Sequence, residues 1–227
     1  MSISTQVRDL ADAIGAAAGI NDEPDLRVAA ALYELLADGD PVTPAAAAAR
    51  AGVDQRAVDE RLDAWPGVFR DDQGRVTGFW GLAIPEMDHR FHAEGGKPIH
   101  AWCALDPFLI VPVIGRPARV ESKDPVTGET ITMTVTPDGV ENLSPATAVT
   151  TLLRPDGPFG SDVVQTFCHY VLNFASRRSA EQWATGRQDI IVLSVAEAFE
   201  VGLRAWARLR TPGTGGPAQP AAQQGTA

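Results

Sequence analysis

The chain has 227 residues, enough for one substantial domain or two small ones packed together, and its 44% hydrophobic content excludes wholesale disorder. Its net charge of -10 disfavours nucleic acid and anionic membrane surfaces as partners, because both are met by basic faces. No stretch approaches the roughly 20 apolar residues of a membrane span, and the polar N-terminus lacks a signal-peptide pattern. A cytoplasmic setting is therefore expected, with two free thiols; abundant Ala, Arg and Asp with only two lysines fits a GC-rich bacterial genome.

Residues 1–85 read as helices followed by a hairpin. Val7 to Ala18 is a short helical candidate, and Asp25 to Ala37 carries an apolar stripe at Leu26, Ala29, Ala30, Leu32, Tyr33, Leu35 and Leu36. Thr43-Pro44 supplies an N-cap and first-turn proline for a helix running to Gly52, and Asp54 caps another that Pro66-Gly67 stops. Val68–Arg70 and Val76–Trp80 flank Asp71-Asp72-Gln73-Gly74, a hairpin signal. Helix–turn–helix plus hairpin is a winged-helix pattern. Its would-be recognition helix carries Asp54, Asp59, Glu60 and Asp63 against Arg56 and Arg61, so a structural or dimerisation role is favoured over DNA binding.

A loop is expected over His89 to Gly96, with a hinge at Gly95-Gly96, before the second unit, residues 86–210. An apolar stretch, Phe108 to Ile114, precedes two strands, Ala118–Ser122 and Thr130–Val135, around Asp124–Gly128; Ile131, Met133 and Val135 share one face. Val149–Leu153 is another strand candidate. Cys168 to Ala175 reads as a strand with Cys168, Tyr170, Leu172 and Phe174 on one face. A helix capped by Ser179 and a last amphipathic helix over Val195–Leu209 follow, then a low-complexity tail, residues 211–227, expected to be disordered. The class is α+β: a winged-helix-like helical region packed on a mixed antiparallel-sheet and helix domain.

The two cysteines stand in distinctive settings. Cys103 lies in Trp102-Cys103-Ala104-Leu105-Asp106, and Cys168 in Phe167-Cys168-His169-Tyr170. A closed all-thiolate zinc site needs more cysteines than one chain has; His89, His92, His100 and His169 could complete a zinc site, though their spacing is a weak signal. Two thiolates alone suit soft metals of low coordination, such as Cu(I) or Hg(II). Asp106 is a hard ligand, a possible metal contact, but better suited to carry a proton beside thiols. Trp102 and Phe167 would make the pocket apolar. The blander alternative is that both cysteines are small core hydrophobes.

These blocks, with Ile114-Gly115-Arg116-Pro117-Ala118-Arg119-Val120, the run Phe167 to Ser176, Ala180-Glu181-Gln182-Trp183-Ala184 and Val195-Ala196-Glu197-Ala198-Phe199, resemble the organomercurial (alkylmercury) lyase family, in matching order over most of residues 30–210. The resemblance implies protonolysis of a carbon–mercury bond to a hydrocarbon and Hg(II), as mercury detoxification, in the cytoplasm and without a dissociable organic cofactor. It implies a winged-helix-like region that has lost DNA binding. It assigns mercury ligation to Cys103 and Cys168 and proton transfer to Asp106, and names cytosolic thiols and mercuric reductase as acceptors. Many members carry further cysteines; here His169 and Asp124 stand at those positions. The alternatives are a metal-sensing regulator that reads DNA and a protein of the same fold that binds metal without turnover.

Overall fold

Local caps set the N-terminal helices. In the computed structural model, which describes residues 4–20, 22–187 and 189–210, Ser4 caps α1 (Thr5–Ala17) and Asp22 caps α2 (Glu23–Leu36), which has Pro24 in its first turn. Thr43 caps α3 (Pro44–Ala51), its hydroxyl accepting the Ala46 N–H at 3.1 Å, and Asp54 caps α4 (Gln55–Ala64). Both arginines of α4 face carboxylates: Arg56 pairs with Glu60 and Arg61 with Asp25. Of the expected stripe on α2, Ala29, Leu32, Tyr33 and Leu36 are buried, joined by Val28 and Ala31, while Leu26, Ala30 and Leu35 are partly buried.

The expected hairpin forms from β1 (Val68–Arg70) and β2 (Val76–Phe79). It does not stand apart. One antiparallel sheet runs β1-β2-β3-β5-β4-β6-β7-β8, in which β3 is Leu82–Ala83, β4 His89–Ala93, β5 Ile99–Ala101, β6 Ala118–Lys123, β7 Thr130–Thr136 and β8 Gly139–Ser144. The expected loop over His89–Gly96 is thus corrected: His89, Phe91 and Ala93 are buried in alternation along β4, and Gly95-Gly96 lies in the β4–β5 turn, where the Gly96 N–H reaches the Ala93 carbonyl at 3.0 Å. Ile131, Met133 and Val135 do share the buried face of β7.

The stretch after Trp102 forms α5 (Asp106–Ile114), buried at every residue. A helix apolar on all sides belongs in a core. Against it packs α8 (Val195–Ala205), which begins with a full capping box between Ser194 and Glu197. The approach is close: a methyl group on Gly202 would lie 2.7 Å from the Phe108 backbone carbonyl carbon. A second sheet, β10-β9-β11, comprises Asn173–Phe174, Val149–Leu152 and Ile191–Ser194.

Three further readings change. Cys168–Ala175 is not one strand: Cys168–Tyr170 is a 3-10 turn, and only Asn173–Phe174 joins the sheet. Helix α7 (Arg177–Ala184) is capped by Ser176, whose hydroxyl accepts the Ser179 N–H at 3.2 Å, while the Ser179 hydroxyl donates to Asp124 at 2.8 Å. The last amphipathic helix ends at Ala205, followed by a 3-10 turn over Ala207–Leu209. The tail, 211–227, lies outside the described residues. The architecture is α+β.

Candidate active site

Cys103 lies between the end of β5 and the start of α5. Leu105, the residue before the helix, offers no capping side chain. Asp106 instead folds back on the preceding loop: its Oδ2 accepts the Cys103 N–H at 2.6 Å, three residues back. This hydrogen bond places the carboxylate beside the Cys103 side chain.

Cys168 comes from a remote segment, and backbone pairing brings it in. The 3-10 turn closes with the Val171 N–H on the Cys168 carbonyl at 3.0 Å, and the Val171 carbonyl accepts the Ala104 N–H at 3.0 Å. The two cysteine loops are therefore stitched together at Ala104, one residue after Cys103, and Val171, three residues after Cys168. Thr151 of β9 braces the second loop: its hydroxyl donates to the Tyr170 carbonyl at 2.8 Å and accepts the Leu172 N–H at 3.1 Å. The result is a cluster in which ligating atoms of Cys103, Asp106 and Cys168 all lie within 4.8 Å of one another. All three residues are buried, at 1%, 6% and 5% exposure.

Burial governs the protons. It pushes Asp106 up from an ordinary 3.8 to about 7, against the Cys103 N–H and thiol and the Trp102 N–H, which favour the ionised form. Burial also holds the Cys103 thiol well above its usual range, assisted by the facing Cys168 thiol and the Asp106 carboxylate. A carboxylic acid near 7 is matched to both giving and taking a proton at neutral pH. The Cys103 thiol, which ionises with difficulty in this setting, becomes a good ligand once a soft cation neutralises its charge.

The remaining sequence candidates fall elsewhere. Trp102 is buried and stacks on Phe69 at 4.7 Å, against the hairpin. Phe167 meets Phe159 at 4.8 Å and lines a groove of about 1060 Å³ with Phe159, Tyr170 and Arg187; neither cysteine lines that groove. His89 is buried in β4, His92 is exposed against the Gly96 carbonyl, and His169 is exposed beside Tyr170. Among the described residues, Cys103, Asp106 and Cys168 are the one group of three metal-ligating side chains, so the histidine–zinc alternative has no cluster to stand on. Asp124 is 1% exposed and accepts hydrogen bonds from the N–H groups of Val126, Thr127 and Ala175 and from the Ser179 hydroxyl. It ties the β6–β7 turn to the segment that follows Cys168.

Sequence reasoning missed Gly81. It adopts φ 106°, and a methyl group there would lie 2.6 Å from the carboxylate carbon and Oδ1 of Asp106. Only glycine leaves room for the acid. The available signal was Gly78-Phe79-Trp80-Gly81, since glycine in a strand pattern marks close backbone approach.

A family model described as alkylmercury lyase matches residues 82–207, and one described as the helix-turn-helix domain of alkylmercury lyase matches residues 6–80. An alkylmercury lyase of Staphylococcus epidermidis is 37% identical over 182 residues, 80% of this chain and 82% of that protein. One of Bacillus cereus is 38% identical over 75% of this chain and 77% of its own. Among solved structures, the mercury-bound form of MerB2 matches with a TM-score of 0.72 at 18% identity, covering 89% of this chain and 99% of that one.

Proposed function

The chain belongs to the alkylmercury lyase family, and from that premise we propose how it cleaves the carbon–mercury bond of an organomercury compound to a hydrocarbon and Hg(II). The observation that carries the reading is the buried cluster of two thiols and one carboxyl group within 4.8 Å.

The carbon–mercury bond is nearly nonpolar, and its carbon leaves poorly. One thiol binds the organomercury cation as a thiolate and gives up its proton, which Asp106 accepts. The second thiol adds in the same way, releasing its proton with the displaced counter-ligand. Both sulfurs now push electron density through mercury toward carbon. The electron pair of the carbon–mercury bond stays on carbon, which takes the proton from Asp106 as the bond breaks. The balance is RHgX plus two thiols giving RH, a mercury dithiolate and HX. No electron is gained or lost overall, so the step needs no redox cofactor. Asp106 acts as base and then acid, and its placement near neutral supports both roles.

Hg(II) is left on Cys103 and Cys168 and departs by exchange with external thiols. We assign cytosolic thiols as acceptors, and mercuric reductase where it is present. Both cysteines are free, which suits a reducing compartment such as the cytoplasm. No helix among the described residues is long and apolar enough to cross a membrane.

The test is headspace detection of methane from methylmercury and of benzene from phenylmercury, with purified protein and excess thiol. Release by the wild-type chain and its loss in Cys103→Ala and in Cys168→Ala is the expected result. No hydrocarbon from the wild-type chain with either substrate refutes the reading.

A further inference from the structure

The backbone that confines Asp106 is itself held by a tyrosine from the N-terminal helices. Tyr33, on α2, is fully buried. Its hydroxyl donates to the Trp80 carbonyl at 2.8 Å and accepts the indole N–H of Trp206 at 3.0 Å. Burial keeps the phenol protonated, so it is a permanent donor.

Trp80 has φ 30°, in the left-handed region that a bulky residue seldom enters. Such a conformation persists only where its surroundings over-determine it. Three hydrogen bonds do so here: the Trp80 N–H to the Gly67 carbonyl at 2.9 Å, the Tyr33 hydroxyl to the Trp80 carbonyl, and the Trp102 N–H to the Gly81 carbonyl at 2.9 Å. The last of these comes from the residue before Cys103. The turn they pin, Trp80-Gly81, is the one that abuts the Asp106 carboxylate.

We propose that Tyr33 is a positioning residue for Asp106: its hydroxyl, held from behind by Trp206, fixes the Trp80–Gly81 turn that forms the wall behind the carboxylate. The role rests on the lyase reading above and gives the helical N-terminal unit a part in the chemistry. Tyr33 makes no hydrogen bond to either cysteine, and the turn it pins meets the Cys103 loop only through the Trp102 N–H, whereas it abuts the Asp106 carboxylate directly, so its loss falls on proton delivery before mercury capture.

Tyr33→Phe keeps the ring and deletes the donor. Misplacing a reacting group by about 1 Å costs about 100-fold in rate. The expected result is a fall in kcat for hydrocarbon release of roughly 10- to 100-fold, with KM within about 2-fold of wild type. Hg(II) bound per chain stays at the wild-type stoichiometry. Gly81→Ala, which displaces the carboxylate directly, gives the same split between kcat and mercury binding. A folded Tyr33→Phe chain with kcat within about 2-fold of wild type overturns the proposal, as does a loss that falls on KM or on mercury binding instead. Should that variant not fold by circular dichroism, Trp206→Phe decides by the same criteria, because it removes the support of the same hydroxyl. A wild-type chain that releases no hydrocarbon refutes the lyase reading, an outcome separate from all of these.

Discussion

Asp106→Asn separates the proton chemistry of the site from its stability. The carboxyl group has an ordinary value of 3.8 and sits near 7 in the folded chain because of burial. Below about pH 4 both folded and unfolded chains hold this proton, and the group contributes no difference. As pH rises from about 4 to 7, the unfolded chain releases the proton while the folded chain retains it, so folding stability falls with rising pH. Above pH 7 the full cost is present. At about 1.4 kcal/mol for each tenfold change in proton affinity, it amounts to about 4 kcal/mol. The amide does not titrate. The stability of Asp106→Asn relative to wild type therefore improves by about 2.5 kcal/mol between pH 5 and pH 8, the part of the cost that falls in that interval. Urea unfolding of both chains at the two pH values measures it, and shared titrations of other groups cancel in the difference. The same variant should bind Hg(II) at the two cysteines and release no hydrocarbon. A stability difference that stays flat within about 0.5 kcal/mol across that range refutes the argument that burial holds a proton on Asp106.

Other substitutions probe the supports of the site. Cys168→Ser leaves Cys103 as the sole thiol, so Hg(II) that stays with the wild-type chain through gel filtration without added thiol should be lost from the variant. Gly202→Ala drives a methyl group onto Phe108 where α8 crosses α5, and should cost about 1–3 kcal/mol in urea unfolding. Asp124→Asn weakens the hub joining the β6–β7 turn to Ala175 and Ser179, with an expected cost of about 2 kcal/mol at pH 7. Burial raises the Asp124 carboxyl, but its four donors outweigh that and hold it below the ordinary value. Its stabilisation is therefore present above that value and is lost as pH falls through the folded one. The gap between Asp124→Asn and wild type should narrow when unfolding is repeated near pH 3.

What was legible in the sequence was local. Thr43-Pro44 and Asp54 start their helices because a capping side chain reaches only two or three residues. The alternation of Ile131, Met133 and Val135 marks β7 because one face is buried and the other is not. β4 was hidden because its buried face includes His89, a residue that reads as polar. The segment after Cys168 was misread for a different reason: its backbone bonds to the Thr151 hydroxyl and to Ala104, so its shape is dictated from afar. The residues of the site could be read from the family resemblance, and the Asp106 hydrogen bond to Cys103 spans only three positions. The contact between Cys103 and Cys168, and the service of Tyr33 and Gly81, depend on pairings between distant segments that no spacing encodes.

The order of strands in the large sheet bears on how this protein can be cut. β3 lies between the hairpin strand β2 and β5, and β5 leads directly to Trp102 and Cys103. Removing the first 85 residues would strip β5 of a neighbour and leave a raw edge of unsatisfied amides one step from the thiols. Such edges recruit other chains. The N-terminal segment therefore seals the sheet through β3, and a shortened protein should aggregate through that seam before it can be asked whether it still turns over.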